Sequence, residues 1–385
     1  MTRLIEDLPA DWRDGLFLGR VDMGQGPIPA LVRGGRLIDL SQRVPTTSEA
    51  ARLPDLARAQ GRDLGDLQEI GLGARGDESA GGVVLSPVDL QCIKASGVTF
   101  AVSAVERVIE ERARGDLNQA QAIRQALAER VGADLSAVKP GSDQAMALKA
   151  ALIADGLWSQ YLEVAIGKDA EIFTKAPVLS SVGWGDQVGV RPDSAWNNPE
   201  PEVAILCDPT GRAVGATLGN DVNLRDIEGR SALLLGKAKD NNASAALGPF
   251  VRLFDDDFTM EDVRRATVAL TVRGHDGFVL EGRSSMGLIS RDPLDLVAQT
   301  MNENHQYPDG FVLYLGTMFA PVEDRDAPGQ GFTHKVGDEV TVTSEHLGTL
   351  RNRVTTTDRA APWTFGVADL MYSLAARGLL GERAL

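Results

Sequence analysis

Apolar and polar positions alternate with two different periods along this chain, and the changes of period divide it. From Leu16 to Leu40 the alternation is that of strands. LVRGGRLIDL holds two such runs joined by Arg33-Gly34-Gly35-Arg36, a hairpin in which glycine supplies positive φ. The next thirty residues are weakly helical, and GLGARGDESAGG (Gly71 to Gly82) has the composition of a flexible linker. The boundary therefore falls at residue 82, with a small β-rich N-terminal domain and linker over 1–82 and a larger domain over 83–385. Val84 to Val98 reads as strand, loop, strand. Val102, Val105, Val108 and Ile109 then fall at helical spacing, which predicts a helix from near Ala101 to a stop at Gly115. Two more helices are predicted, Leu117 to Val131 and Ser142 to Asp155, the second with Ser142 as N-cap and Gly156 just past its end. From Glu171 onward strands dominate: Val188 to Val190, Val203 to Leu206, Ala266 to Val272, Phe311 to Leu315 and Val340 to Thr343. The class read from the pattern is α+β, a large and mostly antiparallel sheet system with a helical insert.

Composition narrows the partners. A length of 385 residues exceeds the size at which single cores stop growing, and 43% apolar residues supply a core for the larger domain. Asp plus Glu at 54 against Lys plus Arg at 39 gives a net charge of −15, which argues against nucleic acid or an anionic membrane as partner. A small anionic ligand would then need local cations. The first residues carry Glu6, Asp7, Asp11 and Asp14 where a signal peptide needs an apolar run, and no window approaches the roughly 18 apolar residues of a membrane span. A cytoplasmic protein is the expectation. Cys92 and Cys207 lie far apart, which excludes a disulfide framework or a cysteine-based zinc site. The four histidines, at 275, 305, 334 and 346, have no metal-type spacing, and no Gly-rich nucleotide loop occurs.

The densest chemistry lies in NNPEPEVAILCDPTGRAVGATLGNDVNLRDIEGRS, from Asn197 to Ser231. Glu200 and Glu202, two apart and running into Val203 to Leu206, point to one face of a strand, roughly 7 Å apart along it. Asp221 follows the alternation Val214 to Leu218, and a returning strand brings it beside the glutamate pair. Three converging carboxylates need a cation, and oxygen-only ligands favour magnesium, manganese or calcium over zinc. By spacing alone, the solvent face of an amphipathic strand accounts for Glu-x-Glu as well, and a turn for Asp221.

This stretch resembles the core of the fumarylacetoacetate hydrolase superfamily, in which an E-x-E pair and the first Asp of N-D-x-x-x-R-D bind a divalent metal; here they read EPE and NDVNLRD. Further family-like pieces follow in the family's order: KAKDNNASAALGPF with Lys239, GRSSMGLIS, LGTMFAP with Gly316 and Thr317, and VGDEVTVTSEHLGTLRNRV. The set spans about Pro87 to Arg377 and is most similar to the sugar-acid branch, whose members dehydrate 2-keto-3-deoxy-pentonates. The resemblance implies a mixed β-sandwich roll. It implies magnesium or manganese on Glu200, Glu202 and Asp221, and a cytoplasmic homodimer or homotetramer. It also implies dehydration of a 2-keto-3-deoxy-pentonate of the D-xylonate or arabinonate type to 2,5-dioxopentanoate, through an enolate stabilised by the ion.

The other site residues rest on the same resemblance. Where hydrolytic members read N-Y-x-x-H-x-x-E, this chain reads TFAVSAVE, so Thr99, Ser103 and Glu106 occupy family positions and the water-activating histidine is replaced by Ser103. Glu106 is the expected base and Lys239 a charged hydrogen-bond donor to the enolate. Gly316, Thr317 and Thr99 are expected at the substrate, and Arg107, by its closeness to Glu106 in the sequence rather than by the resemblance, is a further candidate there beside the ordinary reading of a charged helix face. Two rivals stand beside the dehydratase: hydrolysis of a 2,4-diketo acid, against which the lost histidine argues, and a non-catalytic metal or sugar-acid binding protein, against which the retained Glu106, Lys239 and carboxylate triad argue.

Overall fold

The computed structural model of the chain describes residues 3–117, 119–120, 138–154, 156, 158–319, 321–327 and 331–381. Strands β1 (Phe17–Asp22), β2 (Pro27–Arg33) and β3 (Arg36–Asp39) form the expected meander, and β4 (Arg62–Asp66) adds to β3. Gly34 and Gly35, at φ 58° and 71°, turn the chain with Arg33 opposite Arg36, so both central residues take the left-handed conformation that a tight hairpin of matching twist requires. The stretch Gly71 to Gly82 differs from the expected flexible linker. Leu72–Gly73 pairs in parallel with Gly82–Val84, and Val84 lies opposite Val21 of β1. Its glycines serve close approach: a Cβ on Gly81 would sit 2.0 Å from the carbonyl oxygen of Ile70.

Strand β5 (Cys92–Gly97) leads into the helical block of α1 (Ala101–Arg112), α2 (Asp143–Ala154) and α3 (Gln160–Ile166). Helix α1 starts where the periodicity puts it, and Ser142 caps α2, its Oγ accepting from the Ala145 N–H at 3.2 Å. The expected helix Leu117 to Val131 falls largely outside the described residues. Beyond the block come β6 (Glu171–Ala176), β7 (Gln187–Val190), β8 (Pro201–Cys207), β9 (Ala213–Asp221), the short helix α4 (Leu235–Lys239) and β10 (Ala245–Leu253). The last elements are β11 (Thr267–Arg273), β12 (Val279–Ser285), β13 (Phe311–Tyr314), β14 (Glu339–Ser344), β15 (Gly348–Thr356) and α5 (Val367–Ala376).

A large sheet runs β4-β3-β2-β1-β10-β9-β8-β13-β5-β6 and a smaller one β12-β11-β14-β15-β7. Along these orders every neighbour is antiparallel except β13 with β5 and β15 with β7. The period-2 alternation on β8 explains the layering. Val203, Ile205 and Cys207 enter a core shared with Val268, Leu270 and Val272 of β11 and Val340 and Val342 of β14, while Ala204 and Leu206 face the other side with Leu18, Leu31 and Val312. A third cluster, with Val105, Val108, Ile109, Leu162, Ile166 and Trp196, holds the helical block together. The architecture is the α+β mixed sandwich with a helical insert that the sequence implies. The N-terminal strands extend the same large sheet, because β1 pairs with β10, Phe17 opposite Arg252.

Candidate metal centre and active site

The β8–β9 hairpin builds the centre. Its register sets Glu202 opposite Gly219, and directly opposed residues share a face, so Asp221 lies on the face of Glu202. The Asp221 N–H also donates to the Glu200 carbonyl at 3.0 Å. Oxygens of Glu200, Glu202 and Asp221 lie within 4.8 Å of one another, and all three side chains are buried. Gly219 is bare because the Tyr314 ring fills the space, 2.0 Å from where a Cβ would stand.

Each carboxylate is held differently. Glu200 receives Lys239 Nζ at 2.5 Å and Arg107 at 2.7 Å; burial alone would raise its pKa, but these cations hold it down at about 2. Asp221 receives Lys175 Nζ at 2.7 Å on one oxygen and Lys239 Nζ at 3.2 Å on the other. Glu202 accepts only the Gly316 N–H at 2.7 Å and the Thr317 hydroxyl at 3.4 Å among the described residues. Burial, then Asp221 and Glu200, push its pKa well above the usual carboxylate range. Behind Glu200, Arg107 also pairs with Glu110 at 2.6 Å and Glu228 at 2.5 Å, and Arg225 reaches Glu110 at 3.2 Å. Glu228 is raised to about 7, mainly by burial. Counting Glu171, which lines the same cavity, six carboxylates in this group (Glu110, Glu171, Glu200, Glu202, Asp221 and Glu228) face four cations (Arg107, Lys175, Lys239 and Arg225). Carboxyl groups outnumber cations, and Glu202 has no cationic partner among the described residues; a divalent ion on this all-oxygen donor set would stabilise the ionised form that burial and its neighbours now disfavour.

The cavity is lined by Ser96, Gly97, Val98, Ser103, Arg107, Glu171, Phe173 and Thr317 around the triad, Glu228 and Lys239. Val98, a β-branched residue at φ 58°, is strained there, which places backbone strain on the wall of the site. Gly316, at φ 108°, could carry no side chain, since a Cβ would lie 1.9 Å from Thr99 Oγ1. Thr99 itself donates to the Leu315 carbonyl at 2.7 Å, and so supports the Gly316 turn from behind. Ser103 caps α1, donating to the Phe100 carbonyl at 2.8 Å while its Oγ accepts from the Phe100 N–H. The structure thus brings together Ser103, Arg107, Lys239, Thr317 and the triad. It buries Glu106 on α1, outside the residues that line the cavity, and puts the carboxylate of Glu171 there instead. A larger crevice of about 460 Å3, between Arg20, Arg75, Asp186, Asn242 and Trp363, lies elsewhere and has no converging ligand set among the described residues.

Sequence reasoning missed Glu171 and Lys175. Strand alternation in EIFTKA puts Glu171, Phe173 and Lys175 on one face of β6, a pattern that by itself reads as an ordinary solvated strand face. Gly97 across the β5–β6 ladder makes room, because a Cβ there would lie 1.9 Å from Glu171 Oε2.

Residues 168–355, just under half of the chain, match the family described as fumarylacetoacetate (FAA) hydrolase C-terminal. The chain is 34% identical over 51% of its length to a protein from Haloferax volcanii named probable 2-keto-3-deoxyxylonate dehydratase. It is 30% identical over 47% of its length to the 2-dehydro-3-deoxy-D-arabinonate dehydratase of Saccharolobus solfataricus. These matches span 64% and 57% of the two relatives, less than two thirds of either. The fold is that of a solved 2-keto-3-deoxy-D-arabinonate dehydratase complexed with magnesium and 2,5-dioxopentanoate, at a TM-score of 0.63 and 22% identity, covering 88% of this chain and 98% of that one.

Proposed function

We propose that this chain is a magnesium- or manganese-dependent hydro-lyase that converts a 2-keto-3-deoxy-pentonate to 2,5-dioxopentanoate. The observation that carries the reading is the buried triad of Glu200, Glu202 and Asp221, short of positive charge and flanked by Lys239, with Ser103 where a water-activating histidine would stand. Held by the triad, the ion supplies Lewis-acid polarisation of the substrate's 2-oxo group. The chain's own groups do the rest. Lys239, fully buried between two carboxylates that favour its charged form, donates to oxygen. The Gly316–Thr317 turn holds Glu202 in place through an N–H and a hydroxyl. Arg107 fixes Glu200 from behind. A carboxylate takes the C3 proton, the electron pair returns to expel the C4 hydroxyl, and that hydroxyl leaves as water with a proton. Transfer of a proton from C5 to C3 then gives an enol across C4 and C5, and movement of its hydroxyl proton to C4 yields the C5 aldehyde.

The base assignment follows the cavity wall. Glu171, raised in pKa chiefly by burial, sits on it, whereas Glu106, the base that the family resemblance implies, is not among the residues that line it. Glu171→Gln should slow deuterium wash-in at C3 by about 10²- to 10⁴-fold with substrate still bound, and Glu106→Gln should leave most of it. The opposite outcome returns the role to Glu106.

Ser103 engaged as a helix cap also disfavours the hydrolytic rival, since its hydroxyl is committed to Phe100. Incubating purified protein with 2-keto-3-deoxy-pentonates and magnesium, and weighing the products, tests the whole reading: cleavage of the carbon chain, or no conversion, would defeat it.

A homodimer or homotetramer in the cytoplasm completes the proposal. Among the described residues no helix is long and apolar enough to cross a membrane, and both cysteines are free. Helix α5 buries Leu370 and Leu374 yet exposes Val367, Met371 and Tyr372 on its outer side, and a helix apolar on both sides needs a second cover. Met371→Asp should shift the sedimentation coefficient to that of a smaller species; an unchanged value would place the contact elsewhere.

A further inference from the structure

Lys175 belongs to none of the roles described so far, yet it is the most enclosed charged side chain near the centre. Its relative exposure is 0%, and burial acts to lower its pKa while Asp221 acts to raise it. A lysine is not left in such a place unless its ammonium is saturated. Here it is: Nζ lies 2.7 Å from Asp221 Oδ1, and it donates to the Val222 carbonyl at 3.1 Å, to Ser244 Oγ at 3.3 Å and to the Lys239 carbonyl. Ser244 Oγ in turn donates to that same Lys239 carbonyl at 2.7 Å.

These partners have a common feature. Asp221 closes β9, and Lys239 closes α4, so the two residues reach the centre from different elements. Lys175 enters from a third element, β6, and is bonded to both. Its ion pair lies on Oδ1, while Oδ2 is the oxygen that faces Lys239. By binding the Lys239 carbonyl it fixes the end of α4 from which the Lys239 side chain starts.

We infer that Lys175 is a positioning residue that orients Asp221 toward the divalent ion and registers Lys239 against it. The inference rests on the metal-dependent reading above. Its sign is distinctive. As a bare positive charge beside the triad, Lys175 repels a divalent cation, so removing it would tighten binding if charge were all it contributed. As a brace it does the reverse, because partners that orient a ligand from behind are worth about 10- to 100-fold in metal affinity.

The test is magnesium or manganese affinity by calorimetric titration of the metal-stripped full chain, for the parent, Lys175→Met and Ser244→Ala, with unfolding of each metal-free protein measured alongside. The expected result is a Kd raised by about 10- to 100-fold in Lys175→Met, with lost turnover partly regained at high metal concentration. Ser244→Ala keeps every charge and should weaken binding less, in the same direction. Unchanged or tighter binding in Lys175→Met, with only the metal-free stability lowered, would overturn the inference by making the residue structural. If Lys175→Met does not fold, Ser244→Ala decides, and an unchanged Kd there overturns it equally. Failure of the underlying reading is separable, since the parent protein itself would then bind neither ion.

Discussion

A Glu202→Gln variant is expected to be inactive and, in EDTA, more stable than the parent protein. The first effect follows from the ligand count: two remaining carboxylates, both already paired with lysine, hold an ion loosely. Losing about 4 kcal/mol of Lewis-acid stabilisation corresponds to a fall of roughly 10³-fold in turnover. The second follows from Glu202 being buried beside two other carboxylates with a backbone N–H and a distant hydroxyl for company. A neutral amide of the same shape removes that repulsion, worth about 1–3 kcal/mol in the metal-free state. Denaturant unfolding in EDTA and in excess magnesium checks both. The parent should gain stability from magnesium and the variant little. A variant less stable than the parent in EDTA would mean that Glu202 is already neutralised by something other than an ion.

Lys239→Met is expected to lower turnover by about 10²- to 10³-fold, the usual cost of losing a preorganised donor at a developing oxyanion. The same residue should form no covalent adduct. A lysine that condenses with a ketone must be neutral, and Lys239 lies between Glu200 and Asp221, which hold it charged. Borohydride added during turnover should therefore leave the protein mass unchanged. A reduced adduct at Lys239 that forms in EDTA would replace enolate chemistry with a Schiff base, while leaving the dehydration itself standing.

The hairpin that carries the triad was legible because its two strands are amphipathic in the ordinary way, Val203 to Leu206 and Val214 to Leu218 fixing which face the carboxylates share. Helix α1 was legible for the same reason. Glu171 and Lys175 were not, because two charges four apart on a strand read as a solvated face until another layer covers them. The cover is long-range: Lys175 is enclosed by Val222, Lys239 and Ser244, all distant in sequence. The network of Arg107, Glu110, Glu228 and Arg225 was hidden likewise, since on a helix such residues look like the usual charged stripe. The linker reading of Gly71 to Gly82 differed because glycine content signals flexibility and close packing alike, and here Gly81 lies against the Ile70 carbonyl and Gly82 against the Met23 and Leu72 side chains.

The pairing of β1 with β10 sets the order in which this protein can be completed. Phe17 leaves the ribosome early, and its ladder partner Arg252 only after most of the chain has followed. Until then β1 and β2 present a hairpin with an open edge, the kind of transient surface on which nascent chains pair wrongly. Closing so long a loop makes the large sheet a late and slow event in folding. The triad's hairpin pairs locally and can form first, so the centre's carboxylates are in register before the strand that covers β10 has docked.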